Sequence, residues 1–188
     1  EKEGAFTLDD AISSIVEKLI LRHPHIFGNS PRRHEPDEAL WEQAKLKEKQ
    51  NASLMDDIPH TLPALMKADK IQRRAASVGF DWPDHQGPMD KVTEEFEELK
   101  EVIALQNQTA IEEEMGDLLF AVANLSRHLK INPETALMNA NKKFQKRFRL
   151  METMTGNDKR PLVTLSLEQQ DLYWVQAKHR IREEKKSR

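Results

Sequence analysis

The sequence predicts an all-α protein, and three observations carry that reading. Wherever apolar residues are patterned, they recur at spacings of three and four, the period of a helix face. Six glycines and one tyrosine in 188 residues are too few for the turns and strand-forming aromatics of a β-sandwich or barrel. No segment reads as a strand. Helices are expected at roughly 8–23, 37–50, 63–78, 88–106, 109–130, 133–152 and 166–185.

The boundaries follow from proline and glycine. Pro31 to Pro36 and Asp56 to Pro63 are connections, because proline and the residue before it resist the helix. Gly79 to Pro88 and Gly156 to Pro161 are two more. Pro63 and Pro133 stand where a helix begins, the position proline tolerates best. Residues 9–22 align without a gap on 134–147, placing Lys18 on Lys143 and Arg22 on Arg147. Trp41 to Lys45 likewise resembles Trp174 to Lys178. Two matches in the same order suggest a duplicated unit, with chance similarity of amphipathic helices as the competing reading. A duplication makes residues 1–50 the tail of a first unit, 51–62 a linker and 63–188 a complete second unit.

Composition narrows the function. The absence of cysteine excludes disulfides, thiolate metal sites and cysteine nucleophiles. A net charge of −3 gives no general attraction for nucleic acid. No apolar run approaches the roughly 18 residues that a membrane span requires, and no signal-peptide pattern opens the chain. A cytoplasmic protein is expected. The first residue is Glu1 rather than methionine, so a fragment of a longer chain is expected too.

Charge is segregated. Between Lys91 and Asp117 nine acids face two lysines. At about 100° per residue, Met89, Val92, Phe96, Leu99 and Ile103 form one apolar stripe. Glu94, Glu97 and Glu101 point away from it, whereas Glu95 and Glu98 lie on its flank, with Lys91 beside them. The following helix has a stripe of Ile111, Met115, Leu118, Val122, Leu125 and Leu129, with Glu114 and Asp117 on the corresponding flank. A short connection near Asn107 implies antiparallel packing, so two carboxylate pairs can face one cleft. Half-buried carboxylates repel unless cations lie among them. Oxygen-only ligands favour Mg²⁺ or Mn²⁺. Solvated carboxylates with salt-bridge partners are the alternative. A di-iron bundle needs Glu-x-x-His, and no histidine here has glutamate three residues before it.

The helix at 133–152 carries Lys142, Lys143, Lys146, Arg147 and Arg149, with no acid among residues 141–149. Its stripe runs through Leu137, Ala140, Phe144, Phe148 and Met151, with Lys143 and Arg147 on the flank. Cations beside metal-loaded acids suit a polyphosphate. Interleaved base-stacking aromatics, which a nucleic-acid patch needs, are absent. Trp174 and Lys178 form an i, i+4 pair, and packing is the favoured role of Trp174 on spacing alone. No Gly-rich phosphate loop or Gly-x-Ser-x-Gly occurs.

Glu94-Glu95-Phe96-Glu97-Glu98 followed by Glu114-Met115-Gly116-Asp117 resembles the EExxE…ExxD signature of the MazG nucleoside triphosphate pyrophosphohydrolases. Asp56-Asp57-Ile58-Pro59, Leu62-Pro63-Ala64-Leu65, Val78-Gly79-Phe80-Asp81-Trp82 and Arg22-His23-Pro24-His25 extend the resemblance to the two-domain bacterial type, over essentially the whole chain. The first domain's own acidic signature is missing. The resemblance implies an all-α dimer that hydrolyses nucleoside triphosphates, ATP among them, to the monophosphate and pyrophosphate with Mg²⁺. It implies Glu95, Glu98, Glu114 and Asp117 as metal ligands, and Lys91, Lys143, Arg147, Trp174 and Lys178 as nucleotide-binding or turnover residues. A narrower dCTP, dUTP or damaged-nucleotide pyrophosphatase is the close alternative. A non-catalytic helical interaction module is the distant one.

Overall fold

A computed structural model describes residues 7–22, 24–27 and 53–186. Every regular element among them is helical. The chain divides into two compact units, Glu1–Ile131 and Asn132–Arg188.

In the first unit, α1 (Leu8–Arg22) opens on a reciprocal cap. The Asp10 N–H donates to Thr7 Oγ1 at 3.1 Å, and the Thr7 N–H donates to the Asp10 carboxylate at 2.8 Å. A single turn, α2 (Pro24–Phe27), follows. The expected helix at 37–50 and the Trp41–Lys45 match lie outside the described residues, as does His23. Helix α3 (Ala64–Ala76) starts directly after Pro63 and buries Ala68, Gln72 and Arg74. Arg74, 1% exposed, donates to the carbonyl oxygens of Leu54, at 2.6 Å, and Asp56. Ile58 is buried with it.

Helices α4 (Gln86–Ala104) and α5 (Gln108–His128) form the hairpin expected from the short connection. Gln106 adopts a left-handed φ of 55°, and the Asn107 side chain accepts the Ala110 N–H at 3.3 Å to start α5. Helix α3 packs on α5. The apolar stripes are not the buried faces the periodicity predicts. On α4, Leu99 and Glu95 are buried while Met89, Phe96 and Ile103 are exposed. On α5, Ala121, Ala123 and Asn124 are buried while Met115, Val122 and Leu129 are exposed. The apolar arc of the hairpin is wider than one covering helix. Of the residues buried on α5, Ala121 and Ala123 are small, whereas the larger Met115 and Val122 are exposed.

In the second unit, α6 (Pro133–Asn157) is capped by Asn132, which accepts the Thr135 N–H at 2.8 Å. It runs past the expected end at 152 and through Gly156. Glycine costs a helix about 1 kcal/mol, and burial of Met154 and Thr155 outweighs that. A 3₁₀ turn at Leu162–Thr164 leads to α7 (Leu167–Lys186). Met151, Met154 and Ala177 form the core, with Leu150, Leu162, Tyr173 and Trp174 packed against it. Of the expected α6 stripe, Met151 is buried, whereas Leu137, Phe144 and Phe148 are exposed. One helix partner covers only part of a helix of 25 residues. No helix among the described residues is long and apolar enough to cross a membrane.

Candidate active site

The hairpin brings three of the four expected ligands together. Carboxylate oxygens of Glu95, Glu98 and Glu114 lie within 4.8 Å of one another. Helical spacing makes this possible: Glu95 and Glu98 are neighbours on α4, and the hairpin sets Glu114 of α5 opposite them. Glu95 is 5% exposed, Glu114 half-buried and Glu98 exposed, so the cluster grades from interior to surface. Asp117, one turn along α5 from Glu114, is exposed and lines the adjoining cavity together with Lys91 and Glu95.

The electrostatics are those of crowded acids. Lys91 Nζ lies 2.8 Å from Glu94 and 2.6 Å from Glu95. Hydrogen bonds to Glu94 and then Glu95 hold its ammonium well above the ordinary lysine value. Glu114 is raised above the usual carboxylate value by desolvation, then by the charges of Glu98, Glu95 and Asp117. The donor set is oxygen only and carries more negative charge than Lys91 neutralises, which fits a hard divalent cation.

A carboxyl group raised in the folded state binds its proton more tightly there than in the unfolded chain. It favours folding below its unfolded pKa, and that contribution is lost as pH rises through the folded value. Glu114→Gln should therefore raise the melting temperature of the metal-free protein near neutral pH. The gain should shrink towards about pH 4, where the native carboxyl is protonated. Melts in chelator across that range check this, and a gain independent of pH would contradict it.

Beside the cluster lies a half-open cavity of about 500 Å³, lined wholly by residues of the first unit. Ile71 and Gln72 of α3, Phe120 and Asn124 of α5, and Phe80 and Trp82 of the α3–α4 connection form its wall. That connection is clasped to α5. Arg127 donates to both Asp81 oxygens, at 2.8 and 2.5 Å, and His128 Nε2 stands 2.9 Å from one of them. Burial opposes ionisation of Asp81, but the hydrogen bonds from Arg127 and His128 outweigh it and hold the carboxyl below its usual value. Gly87 lies against the Trp82 indole so closely that a Cβ there would collide with it. Periodicity gave no sign of this cavity. Gln72, a polar residue buried on α3, was the available signal, legible only once the buried face was known.

The remaining expected residues belong to the second unit. Arg147 is half-buried, its guanidinium carbon 5.7 Å from the Trp174 ring centre and its Nε buried without a hydrogen-bond partner. Trp174 also meets Phe144, with ring centres 5.0 Å apart. Lys178 follows one turn along α7 and is half-buried, while Lys143 is exposed. Lys146 pairs with Glu184 at 3.1 Å.

Fold and site together define an all-helical protein with a cluster of carboxylates on a helix hairpin. The MazG nucleotide pyrophosphohydrolase domain matches residues 84–149, which span that hairpin and the basic part of α6. The chain is 44% identical over 179 residues to the nucleoside triphosphate pyrophosphohydrolase/pyrophosphatase MazG of Thermotoga maritima, covering 94% of this chain and 68% of that protein. It is 44% identical over 184 residues to a nucleoside triphosphate pyrophosphohydrolase of Escherichia coli, covering 95% of this chain and 70% of that one. An uncharacterized Bacillus subtilis protein, YabN, is 44% identical over 182 residues, which cover 37% of its length. The chain belongs to the MazG family of nucleoside triphosphate pyrophosphohydrolases.

Proposed function

We propose that this chain hydrolyses nucleoside triphosphates to nucleoside monophosphate and pyrophosphate, with Mg²⁺ (or Mn²⁺) held by Glu95, Glu98, Glu114 and Asp117. The observation that carries the reading is the convergence of Glu95, Glu98 and Glu114 oxygens next to a nucleoside-sized cavity. A divalent cation bound there would neutralise triphosphate charge and make a coordinated water more acidic. Hydrolysis joins a water oxygen to the α-phosphorus and breaks its bond to the bridging oxygen, so pyrophosphate departs. One of the clustered carboxylates accepts the water's proton. Lys91, Lys143, Arg147 and Lys178 bind phosphate oxygens and stabilise charge developing on them. Trp174 contributes to nucleotide binding by carrying Arg147 across its ring face.

The test is a nucleotide panel with product analysis. Equimolar monophosphate and pyrophosphate, abolished by chelator, is expected. Nucleoside diphosphate with orthophosphate as the products, or no turnover in Mg²⁺ or Mn²⁺, would overturn the reading, the second result favouring an interaction module.

We further propose a cytoplasmic homodimer built on the helices of residues 63–152. The exposed Met89, Phe96, Ile103, Met115 and Leu119 support it, being large apolar side chains left to water on the two helices of the hairpin. Phe96→Glu with Leu119→Glu should then convert a dimer to a monomer in sedimentation. A wild type that sediments as an active monomer at micromolar concentration would refute it. The duplicated-unit reading stays as proposed above, with residues 1–50 as the tail of a first repeat. It is supported by α1 and α6 both being helical over the aligned segments.

A further inference from the structure

We infer that Asp81 and Arg127 are positioning residues, an ion pair that holds the α3–α4 connection in place before a nucleotide arrives. The inference rests on the pyrophosphohydrolase reading for its kinetic consequence, whereas its structural consequence concerns the nucleotide-free chain alone. The connection spans residues 77–85. It leaves α3 through Gly79, whose φ of 88° is a conformation that glycine adopts without strain. The N–H groups of Val78, Gly79 and Phe80 donate back to the carbonyls of Ala75, Ala76 and Ala75. Those bonds tie the start of the segment to α3. Little packing holds the rings that follow, since Phe80 is 82% exposed and Trp82 is exposed too.

The link to α5 is made by one carboxylate. Asp81 Oδ2 accepts from Arg127 Nη1 at 2.8 Å, and Oδ1 accepts from Nη2 at 2.5 Å. Oδ1 also accepts the Trp82 N–H at 2.9 Å and lies 2.9 Å from His128 Nε2. The ion pair is therefore bonded directly to the backbone of the residue that carries the indole. Arg127 is aimed in advance: its Nε and Nη2 donate to Asn124 Oδ1, at 3.0 and 2.7 Å. The Arg127 side chain is 11% exposed and that of Asp81 25%, so water competes weakly for the pair. A guanidinium fork on a carboxylate is both strong and directional. Phe80 and Trp82 flank Asp81 in the chain, and both line the cavity. Fixing Asp81 thus fixes where both rings stand. Gly87 stops the indole, with no room for a Cβ between them.

A wall held ready spares binding the cost of ordering two large side chains. Without the pair, each nucleotide must assemble that wall itself, and affinity falls. The clustered acids stand apart from the pair. At about 1.5 Å per residue, Arg127 lies roughly 20 Å further along α5 than Glu114. The chemical step should therefore change little.

The experiment treats nucleotide-free protein with chymotrypsin and follows cleavage after Phe80, in wild type, Arg127→Gln and Arg127→Lys. Neither substitution alters the cleaved sequence. KM and kcat for ATP are measured on the same samples, with circular dichroism as the control for helicity. In Arg127→Gln, cleavage should quicken about tenfold and KM rise by a similar factor, with kcat within about threefold of wild type. Arg127→Lys keeps a cation but cannot bridge both oxygens, so it should fall between. Wild-type cleavage or a wild-type KM in Arg127→Gln would overturn the inference. The first, with KM raised, would mean that Arg127 acts by touching the nucleotide, and the second that the wall takes no part in binding. If Arg127→Gln loses its helicity, Arg127→Lys decides. Loss in both would make the pair a support of the whole fold, which overturns the inference as well. No turnover by the wild type would remove the pyrophosphohydrolase reading and this inference together.

Discussion

Arg147→Ala should lower kcat/KM by about 10²–10³, the usual effect of deleting one preorganised charge-stabilising group. Raising Mg²⁺ should not restore it, because the carboxylate cluster is untouched. The side chain is unusually prepared for anion binding: it lies 5.7 Å from the Trp174 ring and its Nε is buried unpaired. Arg147→Lys should recover little, since an ammonium neither stacks as a plane nor presents a fork to phosphate. The core of its unit is Met151, Met154 and Ala177, so the variant should remain helical. Normal turnover by Arg147→Ala would show that the basic flank is a solvated face.

Glu98→Gln should fail in a different way. The substitution keeps the shape but removes one negative charge from three oxygens lying within 4.8 Å. Loss of an outer-shell partner alone commonly costs 10–100-fold in metal affinity or activity, so a ligand should cost at least about that much. Turnover and metal affinity should fall together, and high Mg²⁺ should restore part of the rate. Glu98 is exposed, so folding should be unaffected. A titration of activity against Mg²⁺ separates the two variants. Identical metal dependence in Glu98→Gln and wild type would place the metal elsewhere.

The helices were legible because their signals are local. Pro63 and Pro133 mark starts that the structure shows within a residue, at Ala64 and Pro133. The end of α6 was not legible, because Gly156 reads as a stop until burial of Met154 and Thr155 is known. Register put Glu95 and Glu98 on one flank and Glu114 and Asp117 on the corresponding flank of the next helix; the first three converge, whereas Asp117 lines the adjoining cavity. Register misjudged depth. Glu95 is buried while Phe96, the residue assigned to the core, is half exposed. A helical period reports which residues share a face, whereas burial depends on which neighbour covers that face. The Asp81–Arg127 clasp and the Gln72–Phe120 bond join residues 46 and 48 positions apart, a separation at which no pattern in one sequence speaks.

Arg74 has a consequence for how this chain can vary over generations. Its guanidinium grips the backbone oxygens of Leu54 and Asp56, which every amino acid possesses. Such a grip reads the path of the chain and ignores its spelling. The grip thus leaves the side chain at 54 unread, while position 74 is fixed: a neutral replacement would strand two carbonyls, and a shorter cation could not span to both. Lineages of this fold should accumulate substitutions at 54 far faster than at 74. The stretch ahead of α3 would keep its shape long after its letters had ceased to be recognisable.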